Sequence, residues 1–367
     1  MSQVRDLLVS SARSIFETTV TKDVIDAVEA GRFPEHLWQA IEDSGLDLAL
    51  VPEEKGGAGV SCYDAAAILR VAGAAAAPAP LADSMIARRL LAACGLEADP
   101  GPLALAQVDD GEDGATPRVE RSGEGFRLDG EVRAVPFARH AVAIVVPVVS
   151  PEGPRLAVVT RGRAALTEDT NLAGEPRDTV RFDGVALEPA AVSPASHTAS
   201  AEHVRRLGAF TRAALMSGAL EHILAITVEY ARERIQFGRA IGQFQAIQQE
   251  LAVLAGETAA AQAAADAAAA AIDAHDGTAA LAVAVAKMRV GEAAGRGSKV
   301  AHQVHGAIGF THEHELHYRT RRLWAWRDEC GSETWWAERV GEAVLARGAE
   351  GLWPLLTSSS AARSAAR

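Results

Sequence analysis

The stretch Arg232-Glu-Arg-Ile-Gln-Phe-Gly-Arg-Ala-Ile-Gly-Gln-Phe-Gln-Ala-Ile-Gln248 decides how the rest of the chain is read. Upstream of it, Leu220, Ile223, Leu224 and Val228 recur three and four apart, which predicts a helix, and Gly238 stands where a C-terminal glycine is expected. A second helix is predicted from near Gln243, with an apolar face of Phe244, Ile247, Leu251 and Leu254. The corner between them carries Arg232, Arg234, Gln236, Arg239 and Gln243. Arginines in a last helical turn oppose the negative end of the helix dipole. Guanidinium and carboxamide donors also suit phosphate oxygens. Composition leaves both readings open.

Working outward, the 367 residues suffice for two or three domains. About half are apolar, yet no run approaches the ~20 unbroken hydrophobics of a spanning helix. The start, Met-Ser-Gln-Val-Arg-Asp, has no basic segment followed by an apolar one, so no export signal is expected. Cys62, Cys94 and Cys330 are too few and too scattered for a disulfide framework or a zinc site, and a reducing cytoplasm is the expected home. The net charge of −12 argues against nucleic acid, so an anionic ligand must be held by a local basic site.

The patterning divides the chain into a mostly helical α+β protein. Residues 1–101 read as an N-terminal helical domain, in which Phe33-Pro34 before Leu37, Trp38 and Ile41 starts an amphipathic helix that Gly45 ends. The apolar run Leu46 to Val51 leads into the glycine-dense turn Val51-Pro-Glu-Glu-Lys-Gly-Gly-Ala-Gly59. An alanine-rich helical region follows, interrupted by Pro78 and Pro80 and ending near Gly95. Residues 102–200 read as a β domain with strands over 103–108, 126–128, 142–149, 156–159 and 179–182, the second running into an Asp129-Gly130 turn. Residues 201–356 are helical again. The alanine-rich stretch 259–274 reads as a close-packed helix rather than a linker, and residues 357–367 as a flexible tail.

The order R-x-Q-F-G-R-x-I-G-x-F-Q-x-I-Q closely resembles the signature of the acyl-CoA dehydrogenases, flavoenzymes that desaturate a coenzyme A thioester between its α and β carbons. Leu37 to Ser61 resembles the family's N-terminal block of a tryptophan, a glycine and a P-E-x-x-G-G-x-G turn. Gln303-Val-His-Gly-Ala-Ile-Gly-Phe-Thr311, followed by Glu313 and Arg321, resembles its Q-x-x-G-G-x-G segment. The resemblance implies a helical domain, a β barrel and a four-helix bundle. It also implies FAD contacts, made across a subunit interface, from Arg234, Gln236, Phe237, Gln245, Gln303, Val304, His305, Gly306, Ala307 and Gly309. His302, His305, His312, His314 and His317 cluster here, but without a paired cysteine or carboxylate pattern they read as solvated or core-satisfied rather than metal-binding.

The chain departs from the family pattern at the flavin ring and at the base. Where the family has a T-E-x-x-x-G-S-D loop and a W-I-[ST] motif, this chain has Ala106 to Gly111 and Ala134 to His140. The resemblance places the commoner catalytic glutamate at Cys330 and the alternative one at Thr211, and neither is a carboxylate. Glu329, one residue before Cys330, is the candidate base, and Arg212 matches a family arginine near the CoA end. Both adenosine-side blocks are kept while ring contacts and base are lost. This combination is similar to the degenerate subunits of heteromeric acyl-CoA dehydrogenases of steroid side-chain breakdown, in which a partner subunit supplies the glutamate. A heterotetramer acting on acyl-CoA and passing electrons to an electron-transfer flavoprotein is therefore expected. A homotetramer using Glu329, and a non-catalytic acyl-CoA-binding or scaffolding protein, are the alternatives.

Overall fold

The computed structural model describes residues 3–108, 116–275 and 277–357. Asp109 to Gly111, part of the departure from the flavin-ring pattern, and the tail after Thr357 lie outside the described residues. Contacts group the chain into two units, Met1–Ser61 with Ala77–Gly208, and Cys62–Ala76 with Ala209–Arg367.

The N-terminal helices are α1 (Gln3–Thr19), α2 (Lys22–Glu29), α3 (Glu35–Asp43), α4 (Cys62–Ala74) and α5 (Leu81–Cys94). In the first unit, α3 follows Pro34 as the sequence predicts and buries Leu37, Trp38 and Ile41. Gly45 (φ 68°) and Gly95 (φ 69°) take up the left-handed backbone just past α3 and α5, conformations that cost other residues about 1 kcal/mol. The glycine-dense turn is more than a turn: a Cβ on Gly57 would stand 2.1 Å from the carbonyl oxygen of Val51, so only glycine lets the chain double back there.

The same unit holds a seven-stranded sheet made of β1 (Leu103–Leu105), β2 (Arg118–Ser122), β3 (Gly125–Pro136), β4 (Ala143–Ser150), β5 (Gly153–Thr160), β6 (Ala165–Thr167) and β7 (Arg177–Leu187). The order is β1-β4-β2-β3-β7-β6, with β5 also paired to β4. Alternate residues of β3 and β7, among them Phe126, Leu128, Val132, Val180, Phe182 and Val185, form the core beneath it. Two strands, β2 and β6, have no counterpart in the sequence reading. Their side chains are mostly exposed and charged or small, so they lack the apolar alternation that marks a strand.

The Asp129-Gly130 hairpin turn predicted from sequence is not formed. β3 continues through it to Pro136, with a register shift against β7 between Leu128 and Gly130. Gly130 (φ 139°) makes a bulge, and a Cβ there would come within 2.7 Å of the Pro117 backbone. The Asp-Gly pair serves close strand approach instead of chain reversal.

The second unit is helical. Besides α4 it contains most of α6 (Ala201–Glu233), a two-residue hairpin β8 (Ile235–Gln236) and β9 (Arg239–Ala240), α7 (Gln245–Ala274), α8 (Ala279–His305), α9 (Leu316–Asp328) and α10 (Glu333–Thr357). The alanine-rich part of α7 is helix throughout and buries Ala261, Ala265, Ala268 and Ala269. Small side chains let α4 and α6 touch backbone to backbone. A Cβ on Gly73 would lie 1.9 Å from the Leu215 carbonyl oxygen, and one on Gly218 would lie 1.9 Å from that of Arg70. Polar ties hold α7 to its neighbours: the Asp273 carboxylate of α7 accepts from the amides of Cys62 (2.8 Å) and Tyr63 (3.0 Å) at the start of α4. Glu257 of α7 accepts from Arg289 and Arg296 of α8. No helix among the described residues is long and apolar enough to cross a membrane.

Candidate functional site: two corners and a locked carboxylate

The decisive stretch differs locally from its prediction. Gly238 does not cap α6, which stops at Glu233. Instead, Ile235 pairs with Ala240 and Gln236 with Arg239 across a turn in which Phe237 (φ 52°) and Gly238 (φ 81°) are both left-handed. Two consecutive positive-φ residues are the requirement of the tightest hairpin turn, so the glycine is used one element later than helix-capping logic assigned it. A short 3-10 turn over Ile241–Gln243 precedes α7, which begins at Gln245, two residues later than predicted.

The hairpin presents its side chains outward. Arg234, Gln236 and Gln245 are exposed, and Phe237 is 92% exposed. The Arg239 guanidinium lies over the Phe244 ring at 4.0 Å, which fixes the base of the hairpin.

The second block forms the corner between α8 and α9. Gln303, Gly306 and Ala307 are exposed, whereas Val304, His305 and Gly309 are buried. Gly306 (φ 64°) has open space where a Cβ would be, and its N–H caps α8 by donating to the His302 carbonyl. The His305 side chain faces inward and stacks on Tyr230 with ring centroids 4.6 Å apart. Tyr230 belongs to the last turn of α6, and its carbonyl accepts from the Arg234 amide at 2.9 Å. One aromatic stack thus joins the two blocks that the sequence placed separately. Tyr230 carried no signal of its own.

Exposed guanidinium and carboxamide donors on one helical unit fit an anionic dinucleotide presented from outside. Arg234, Gln236, Gln245 and Gln303 could hold FAD by side chain, with Gly306 leaving open space beside them. Val304 and His305 offer it no exposed side chain.

The positions compared for the base also converge. Arg212, buried in α6 beside the buried Thr211, donates from Nε to Glu329 Oε2 at 2.7 Å. Glu329 closes α9, and Cys330 after it takes a left-handed φ of 57°. Lys287 of α8, fully buried, donates from Nζ to the carbonyls of Arg327 (2.6 Å) and Gly331 (2.7 Å). Trp336 Nε1 donates to the Cys330 carbonyl at 3.0 Å. Burial pushes the Lys287 ammonium down to about 8, against the opposing pull of Cys330 and Glu329. The corner 327–331 is therefore held from three sides. Its one carboxylate nearest the family's base position is already the counter-ion of a buried arginine. Lys287 was missed in the sequence, where the available signal was a lone cation in the apolar run Leu281 to Met288.

Where the family has its W-I-[ST] motif, Ala134 to Pro136 end β3 and residues 137–140 form an ion-paired turn. Arg139 donates from Nε to the fully buried Asp178 at 2.8 Å, and its amide donates to the other carboxylate oxygen at 2.8 Å. Phe137 is buried and left-handed at φ 51°. These side chains serve the turn itself.

Among the described residues no three His, Cys, Asp or Glu side chains are grouped to hold a metal ion. Cys62, Cys94 and Cys330 are all buried, and none of the three is in a disulfide.

Comparison with known proteins agrees with this architecture. The acyl-CoA dehydrogenase N-terminal domain matches residues 2–99, and the acyl-CoA dehydrogenase C-terminal domain matches residues 203–345. The chain is 31% identical over 298 residues to acyl-CoA dehydrogenase IpdE2 of Mycobacterium tuberculosis, spanning 79% of this chain and 80% of that one. A chain in the crystal structure of the ChsE4-ChsE5 complex from Mycobacterium tuberculosis superposes with a TM-score of 0.85 at 26% identity, over 95% of this chain and 98% of that one. A chain from a variant of the Tcur3481-Tcur3483 steroid ACAD does so at 0.84 and 26% identity, over 95% and 99%. The chain belongs to the acyl-CoA dehydrogenase family, FAD-dependent oxidoreductases of acyl-CoA thioesters.

Proposed function

We propose that this chain is one subunit of a heteromeric acyl-CoA dehydrogenase, lending FAD contacts across an interface to a partner subunit that supplies the catalytic glutamate. The observation that carries this reading is the Arg212–Glu329 pair: the carboxylate nearest the family's base position is bound at 2.7 Å to a buried guanidinium. A general base must be able to reach and take the α proton, and this carboxylate is directed at a buried guanidinium instead. Thr211 and Cys330 offer a hydroxyl and a thiol in its place. The similarity to chains of the ChsE4-ChsE5 complex and of a two-component steroid ACAD supports both the pairing and a bulky acyl-CoA substrate.

When bound, FAD supplies the hydride acceptor for α,β-desaturation. Arg234, Gln236, Phe237, Gln245, Gln303, Gly306 and Gly309 are this chain's contribution to holding it, with Ala307 beside them. An electron-transfer flavoprotein is the expected acceptor, and Arg212 serves the corner rather than the CoA end.

The test is purification of the chain alone and together with the product of its genomic neighbour. The paired preparation is expected to hold flavin and desaturate acyl-CoA, and the lone chain to do neither. Stoichiometric flavin and turnover in the lone chain would sink the proposal. Loss of that turnover in Glu329→Gln would then establish a self-sufficient homo-oligomer. Tight acyl-CoA binding without flavin or partner would instead favour a binding or scaffolding protein.

A further inference from the structure

The histidines at the α8–α9 corner are not used by the reading above, and their surroundings are unusual. His305 donates from Nδ1 to the Ala301 carbonyl at 2.8 Å, which leaves Nε2 as a lone pair. That nitrogen is buried without a hydrogen-bond partner, between the stacked Tyr230 ring and the edge-on His314 ring at 4.6 Å. His302 lies against Phe310 at 4.2 Å and Trp324 at 5.9 Å. Its Nε2 meets Thr320 Oγ1 at 3.0 Å, while Nδ1 is buried without a partner and lies 3.3 Å from where a Cβ on Gly309 would sit. Both residues are more than nine-tenths buried.

A neutral imidazole tolerates such a place because a bare ring nitrogen in aromatic surroundings forfeits one hydrogen bond. An imidazolium there would have a buried N–H and a buried charge with nothing to accept either. We infer that the corner Gln303–Phe310 is an acid-opened latch, in which protonation of His302 and His305 separates it from Tyr230 and Trp324 and releases the molecule held against it. The release half rests on the cofactor and partner reading above; the opening half does not.

Among the described residues, the groups facing these rings contain no counter-ion for them. From α6 comes Tyr230, from α8 each histidine faces the other, from the turn come Phe310 and His314, and from α9 come Thr320, Trp324 and His317. The nearby carboxylate, Glu315, is already engaged by His222 at 3.2 Å and Arg319 at 2.7 Å. Burial holds His302, His305 and His314 all below the usual imidazole range. With folded-state values depressed, the closed corner binds fewer protons than the open one, so its stability is full above about pH 6.5 and is lost as the pH falls.

The test combines amide exchange with flavin retention, on the chain together with its partner subunit, between pH 5.0 and 7.5. Exchange of residues 302–311, corrected for its intrinsic pH dependence, is expected to rise by up to about tenfold per pH unit for each histidine protonated on opening. Flavin fluorescence should appear in the filtrate over the same window. His305→Phe and His302→Phe keep the ring stacks and remove the ionisable nitrogens, so each should flatten the dependence. Proton NMR titration of the wild-type imidazoles makes the test independent of the variants' folding. Flat exchange, with both histidines titrating near their ordinary 6.5, would overturn the latch. Rising exchange with flavin retained would overturn the release half alone. A chain that takes up neither flavin nor partner at any pH would refute the functional reading, and the exchange data on the lone chain would still decide the latch.

Discussion

The guanidinium of Arg212 in α6 and the carboxylate of Glu329 at the end of α9 lie 2.7 Å apart, with side-chain exposures of 2% and 17%. This pair joins the neighbours of Thr211 and Cys330, the two positions at which the family resemblance places a base. Removing one member of a buried pair costs about 3 kcal/mol or more. Glu329→Ala is expected to lower unfolding stability by that amount, and Arg212→Met with Glu329→Leu together by much less than the sum of the single changes. Denaturant titration of the four proteins in a double-mutant cycle measures the coupling.

Lys287 gives the same corner a pH signature. Its folded-state pKa of about 8 is below the ordinary 10.5, so the folded chain binds fewer protons than the unfolded one between those values. Stability is therefore expected to gain a contribution as the pH rises from about 8 to 10.5, on top of other titrations. Lys287→Met should lack that gain and should leave two carbonyls without donors, at roughly 1 to 3 kcal/mol each before any relief from removing the buried charge. Thermal melts of both proteins across pH 7 to 10.5 compare the slopes.

Asp47 makes an opposite prediction in the first unit. Burial lifts its carboxyl from 3.8 to about 6, and Arg88, 3.8 Å away, only partly opposes this. A raised carboxyl stabilises the fold below about pH 4 and loses that contribution as the pH rises through about 6. Asp47→Asn should consequently raise stability at pH 8, by up to about 3 kcal/mol at roughly 1.4 kcal/mol per pKa unit, and change it little at pH 4. Arg88 keeps its acceptors at the carbonyls of Ala98, Asp99 and Gly101, so the substitution does not strand it.

The crossing of α4 and α6 leaves no room for a methyl group. Gly73→Ala or Gly218→Ala places a Cβ 1.9 Å from a backbone carbonyl oxygen, which cannot rotate away. Overpacking against a yielding neighbour costs about 1 to 3 kcal/mol, and here the cost should reach or exceed the top of that range. Soluble yield and melting temperature decide it; wild-type values for either variant would show that the helices separate easily.

The hairpin should separate function from folding. Phe237→Ala and Arg234→Ala change exposed side chains and are expected to shift the stability of the lone chain by no more than about 0.5 kcal/mol. In the paired enzyme the same changes should lower flavin content. Equal flavin content in variant and wild type would remove these residues from the cofactor site.

Much of this architecture was legible in the sequence because it rests on local rules. Pro34 before Leu37, Trp38 and Ile41 announces α3, Gly95 announces the end of α5, and alanine over 259–274 has few options but helix. The order of residues from Arg232 to Gln248, with the block after Gln303, identified the family that the comparisons confirm. Local rules misassigned Gly238 and Gly130, since a glycine signals freedom of φ and not which element will use it.

By itself, then, the sequence determined helical and sheet segments, the absence of a carboxylate at Thr211 and Cys330, and the run of donors at the two corners. Only the tertiary structure decided that Glu329 is bound by Arg212, 117 residues away in sequence, that Lys287 grips the same corner, and that Tyr230 joins the two blocks through His305. The physical reason is that propensity and periodicity act over one or two turns of chain. The partner of a buried charge or ring is chosen by which distant helices pack together, and no local pattern encodes that choice.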